Sequence, residues 1–157
     1  MKSIRAALFW PTAILVTLLS FEGTSRAAQP DRDPIKIKCL SQQQAYIAAR
    51  EYADSKGASL LLTSGTHSME PLIHGHVYVV VEKTPYESIF SNDILAYVGC
   101  LSASSPQQQA ILHRAVERDR YGWMMRGDNN RWTESWDRVT TKNYMGRAVA
   151  LFTFPQA

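Results

Sequence analysis

HVYVVV, residues 76–81, is a β-branched and aromatic run too short for a helix. Turn residues bound it, and such runs fold as strands. Working outward, strand-like segments recur at Asp93–Val98, Ile111–Val116, Tyr121–Met125 and Tyr144–Phe154, with Gly, Asn and Ser between them. Ile35–Cys39 alternates as one more short strand, and SASSPQQQ (102–109) reads as a polar loop. Ser41–Lys56 reads as the one helix. Ser41 caps it with Gln44 three positions on, Gly57 stops it, and Ala45, Ile47, Ala48 and Tyr52 share much of one face. These elements predict a mainly β fold: a small antiparallel coiled sheet or partial barrel, with the helix outside it.

The chain has 157 residues, enough for one domain with its own core. Its formal charge is +3. Lys2, Arg5 and Arg26 against Glu22 give the first 28 residues +2, leaving +1 for the rest, with the basic residues scattered. A nearly neutral domain without a basic patch predicts no nucleic-acid partner.

Lys2 and Arg5 precede an uncharged, largely apolar run, Ala6–Phe21, and Ser25-Arg26-Ala27 puts small residues at the −3 and −1 positions of a cleavage site. The run falls short of the roughly 20 residues that span a bilayer, and Trp10 and Pro11 interrupt it. Residues 1–28 therefore read as a signal peptide or a retained membrane anchor, and either places the domain outside the cytoplasm. Residues 29–58 read as linker, short strand and helix; QPDRDP (29–34) is the linker. The remaining domain spans 59–157. Cys39 and Cys100 are open to two readings, a disulfide or two separate thiols. Their spacing from the histidines matches no zinc signature, and no cofactor is expected.

SGTHSMEP (64–71) reads as a tight turn that presents a hydroxyl. Alone it is weak, because loop serines usually bond only to nearby backbone. A serine hydroxyl needs a base within reach to become a nucleophile. His113, in the strand-like ILHRAV (111–116), is the best candidate base. RGDNN (126–130) adds a turn whose Asp128 can place a carboxylate near an imidazole.

Together these segments resemble the S24/S26 peptidase superfamily, and within it the type I signal peptidases. The matching blocks, in order, are Ser68-Met69-Glu70-Pro71, Asn92-Asp93-Ile94-Leu95, His113-Arg114-Ala115-Val116, Gly127-Asp128-Asn129-Asn130 and Gly146-Arg147-Ala148-Val149. The resemblance covers about residues 60–152. It implies the signal peptidase/LexA-like fold, with Ser68 as nucleophile and His113 as base. Bacterial leader peptidases and LexA-like repressors carry lysine at the base position, whereas archaeal and endoplasmic-reticulum signal peptidases carry histidine. Lys83 and Lys142 lie outside the matching block. The resemblance further implies an oxyanion hole built from the Ser68 amide and the Thr66 hydroxyl. It implies an acid too: Asp128 is favoured as the important one, while the imidazole's direct partner stays open, with Glu134 and Asp137 as candidates. The family's Gly-Asp after the nucleophile block is replaced by Gly75-His76.

The expected activity is endoproteolysis of an extended segment with small side chains before the scissile bond. The expected partners are an exported or membrane precursor polypeptide and the membrane surface. The alternative is an inactive module of the same fold that binds or assembles partners. A further reading is a maturation protease dedicated to one cell-surface partner. His67, His74 and His76 lie close to Ser68 in sequence and read as solvated or packing residues. Trp123, Met124, Met125 and Met69 read first as core, and otherwise as a groove wall.

Overall fold

The computed structural model describes residues 32–156 apart from 64 and 103. The expected signal or anchor segment therefore lies outside the described residues. No helix among the described residues is long and apolar enough to cross a membrane.

Helix α1 runs Gln42–Lys56. The Ser41 hydroxyl accepts from the Gln44 N–H at 3.2 Å, and the Gln44 side chain accepts from the Leu40 N–H at 2.8 Å. These bonds satisfy two amides that the first turn cannot. Gly57 closes the other end with φ 60°, a left-handed turn that suits glycine. The expected face packs on the sheet at Ala45, Ala48 and Tyr52 and departs only at Ile47. Ala45, Ala49 and Ala53 are fully buried and pack on Val80, Ala150 and Phe152, while Ile47 is half-exposed. Alanines four apart form one row along a helix, and their small side chains allow close approach to the sheet.

Eight strands form the rest: β1 Ile35–Lys38, β2 Ser59–Leu62, β3 Val77–Glu82, β4 Ile94–Ser102, β5 Ser105–Asp119, β6 Gly122–Arg126, β7 Glu134–Val139 and β8 Tyr144–Thr153. They make one open sheet in the order β2-β3-β8-β4-β5-β6-β7, antiparallel along that path, with β1 parallel to β8. The described residues are thus mainly β with a single α-helix. The first half of β8 pairs with β4 and its second half with β1, so β1 takes the edge that β4 leaves. The valine run is strand β3, and it is buried on both faces. Val77, Val79 and Val81 join Met69, Ile73, Ile94 and Leu151, while Val80 faces α1. Burial on both sides explains the missing polar alternation.

Three expectations need correction. The polar stretch 102–109 is mostly strand, because β4 and β5 stay paired out to Ser102 and Ser105. Gln107–Gln109 are exposed there, so polarity marks a hairpin arm standing clear of the core. Strands β2 and β7, which are short or polar, were not expected. Of the linker, Arg32–Pro34 are fastened to the sheet: Arg32 pairs with Asp93, Asp33 with Arg114, and Pro34 is buried.

Candidate active site

Ser68 stands in a turn between β2 and β3 that deeper residues hold in place. Thr63 closes the base of the excursion: its N–H donates to the Val77 carbonyl at 3.0 Å, and its hydroxyl accepts from the Val77 N–H at 2.8 Å. Met69 and Ile73 sink into the core, joined by an Ile73 N–H to Met69 carbonyl bond of 2.9 Å. Burying side chains of this size is worth roughly 1.5–3 kcal/mol each, which fixes Ser68 at the surface directly above them.

The Gly127-Asp128-Asn129 turn, following β6, braces the Ser68 turn from the other side. The Asn129 N–H donates to the Ser68 carbonyl at 2.9 Å, and the Asn129 amide to the His67 carbonyl at 3.1 Å. A Cβ at position 127 would stand 2.5 Å from the Ser68 carbonyl oxygen. That approach excludes any side chain, so the glycine is required by contact with the Ser68 turn.

His113 lies on β5, opposite Leu95 of β4, and is buried. Its Nε2 is 3.1 Å from the Ser68 Oγ. Its Nδ1 is 2.5 Å from Glu134 Oε1, and Glu134 is buried too. Glu134 begins β7, opposite Met125 of β6, and the curl of the sheet brings β7 against β4. There the Tyr97 hydroxyl donates to Glu134 Oε2 at 2.7 Å and lies 3.4 Å from His113 Nδ1. A buried carboxylate needs a charge or hydrogen-bond partner, and Glu134 has both an imidazole and a phenol. With Nδ1–H directed to Glu134, Nε2 carries the lone pair that faces Ser68.

Of the acid candidates, Glu134 contacts the imidazole. Asp137 lies three residues along β7, and its side chain is outside the described ones. Asp128 does not contact His113. Its two oxygens sit 2.7 Å from Arg114 Nε and Nη2. This paired geometry is the stronger form of an arginine–carboxylate bond, and with Asp33 it holds the Arg114 pKa above its ordinary value. Asp128 thus belongs to the brace behind the Ser68 turn, and of these acids Glu134 is the one whose described side chain reaches the imidazole.

Thr66 is exposed, with its hydroxyl 3.4 Å from the Ser68 Oγ. His67 and His74 both bond Glu70 Oε1, at 2.7 and 2.6 Å, and hold the Glu70 carboxyl below its ordinary pKa. His76 bonds the Thr63 carbonyl. Trp123 and Met125 are buried in a cluster with Leu95, Tyr97 and Val139, which is core. Cys39 and Cys100 are not bonded to each other. Tyr97 escaped the reading of the sequence. The available signal was general: a buried tyrosine usually finds a partner for its hydroxyl.

An apolar cleft of about 210 Å³ opens beside the pair, lined by Leu61, Met69, Ile73, Val79 and Ile111 together with Thr66, Ser68 and His113. Two strands along it have unpaired edges among the described residues: β2, which pairs only with β3, and β5 before Arg114, where its pairing with β6 begins. No family model, curated protein or solved structure matches the chain.

Proposed function

We propose that this chain is a serine endopeptidase of the signal-peptidase type, exported to the extracytoplasmic or periplasmic side, and that it cuts extended segments of exported or membrane precursors. The observation that carries the reading is the line Ser68–His113–Glu134, with contacts of 3.1 and 2.5 Å. Two buried ionisable groups are costly to keep in a core, and general-base catalysis is a use for them.

The chemistry follows from the contacts. His113 Nε2 takes the Ser68 hydroxyl proton as Oγ bonds to the substrate carbonyl carbon. The imidazolium that forms is held by Glu134. Negative charge develops on the carbonyl oxygen, and the resemblance assigns the Ser68 N–H and the Thr66 hydroxyl to receive it. Nε2 then returns the proton to the leaving amine as the peptide C–N bond breaks. Water, deprotonated by the same imidazole, then bonds to the acyl carbon, and Nε2 returns that proton to the Ser68 Oγ as the ester C–O bond breaks.

The cleft suits an extended, uncharged segment, since among the described residues no acidic or basic side chain other than His113 lines it. A peptide can add as a strand to the free edges of β2 and β5, with alternate side chains entering the cleft. The test is to incubate the chain with exported precursors beside Ser68→Ala and His113→Ala. Cleavage by the parent alone is expected. Cleavage that survives either substitution contradicts the mechanism, and cleavage by none of the three favours the inactive binding module.

A further inference from the structure

Two residues of the expected linker meet charges of opposite sign, Asp93 just before β4 and Arg114 on the neighbouring β5. Arg32 bonds both oxygens of Asp93, Nη2 at 3.0 Å to Oδ2, and its guanidinium lies 4.6 Å over the Phe90 ring. Asp93 is fully buried, with the Phe90 N–H at 2.8 Å and Arg147 at 3.7 Å as its other partners. The next residue, Asp33, is 2.6 Å from Arg114 Nη1. Asp93 and Arg114 are themselves tied, because the Ala115 N–H donates to the Asp93 carbonyl and Arg114 Nη1 to the Asn92 carbonyl.

Arg114 directly follows His113 and grips Asp128 with its remaining nitrogens. Asp128 is flanked by Gly127, which abuts the Ser68 carbonyl, and Asn129, which donates to it. A continuous polar path therefore runs from the N-terminal segment to the backbone of Ser68. Removing Asp33 leaves Arg114 with one fewer anchor. Removing Arg32 leaves a buried carboxylate facing only the more distant Arg147 among the described cations, and the Arg147 Nε is itself buried without a partner.

We propose that Arg32 and Asp33 are positioning residues: a two-point strap, lying just beyond the expected cleavage site, that sets the Ser68 turn through Arg114 and Asp128. The proposal rests on the protease reading for its effect on turnover, but the mechanical coupling is separate from it. A chain cut beyond Asp33 would keep Ser68, His113 and Glu134 and lose the strap.

The experiment measures amide hydrogen exchange, thermal unfolding and precursor cleavage on the full chain and on Asp33→Ala, Asp33→Arg, Arg32→Lys and Arg32→Ala. Asp33 is partly exposed, so Asp33→Ala is expected to fold. Losing a partly exposed pair should speed exchange of the Asn129 and Ile73 amides about fivefold, with Ala49 in α1 unchanged. Asp33→Arg should speed them further by repelling Arg114, and Arg32→Lys, which keeps the charge but loses the two-point grip on Asp93, should fall between the parent and Arg32→Ala. Cleavage should fall in kcat with little change in KM. Parent-like exchange at Asn129 in Asp33→Ala overturns the strap, as does equal acceleration at Ala49, which would report only lost global stability. If the parent cleaves nothing, the protease reading fails, and the exchange ratios still decide the strap.

Discussion

Glu134→Gln keeps the shape of the side chain and removes its charge. A glutamine carbonyl still accepts the His113 Nδ1–H, and its amide can donate to the Tyr97 oxygen, so the imidazole keeps its orientation. What disappears is the attraction between Glu134 and the imidazolium that exists once the Ser68 proton has moved. The two groups touch at 2.5 Å and are buried. Charges centred about 4 Å apart at an effective dielectric near 20 attract by about 4 kcal/mol. At 1.36 kcal/mol per decade, turnover should fall on the order of a thousandfold. Because the interaction forms on the way to the transition state, kcat should take the loss and KM should stay close to the parent value. The assay is the rate at which a serine-reactive organophosphonate labels Ser68, followed by intact mass, with precursor cleavage alongside. Asp128→Asn is the control. It weakens the grip on Arg114 and should lower stability, while costing far less than the glutamine variant at a temperature where both are folded. A Glu134→Gln protein within about tenfold of the parent, or an equal loss in Asp128→Asn, refutes the assignment of the acid.

Other consequences can be checked in the same preparations. Gly127→Ala forces a methyl toward the Ser68 carbonyl oxygen, 2.5 Å away. It should cost about 1–3 kcal/mol of stability and most of the activity, measured by thermal unfolding and labelling. Thr66→Val removes the proposed second oxyanion donor from an exposed position and should slow cleavage on the order of a hundredfold with an unchanged unfolding temperature. Tyr97→Phe leaves one oxygen of buried Glu134 without its donor and should destabilise by about 1–3 kcal/mol, with turnover reduced as well. The Asp119 carboxyl is held below its ordinary 3.8 by the Tyr121 N–H first, and by Arg138 and the Gly122 N–H. Its stabilisation is therefore complete above 3.8 and lost as pH falls through the depressed folded value. The gap in unfolding temperature between the parent and Asp119→Asn should close only in that acid range, and a gap that persists into stronger acid contradicts the argument.

The legible parts of the fold were those set by local chemistry. The valine run became β3, and Ser41 and Gly57 cap α1, because propensity, capping and turn conformation act over a few residues. Ser68 and His113 were legible as a pair only through the order of their blocks, and they are 45 residues apart. The choice among acids was not legible. Asp128 sits in the more recognisable turn, yet the β6–β7 register opposite Met125 and the curl of the sheet bring Glu134 to the imidazole. No spacing rule encodes that curl. Arg32 and Asp33 looked like linker because they are polar and flanked by prolines, whereas their partners lie 61 and 81 residues away. The buried alanine row of α1 was hidden for a simpler reason. Alanine carries little hydrophobic signal, so Ala49 and Ala53 were passed over and the larger Ile47, which is half-exposed, was included in the predicted face.

The central claim is that His113 activates the Ser68 hydroxyl. Peptide mapping after exposure to a serine-reactive organophosphonate tests it most directly. A single adduct on Ser68 that forms readily in the parent and is lost in His113→Ala is the predicted result. An unlabelled Ser68 in the folded parent, or labelling that proceeds equally well without the imidazole, would contradict it.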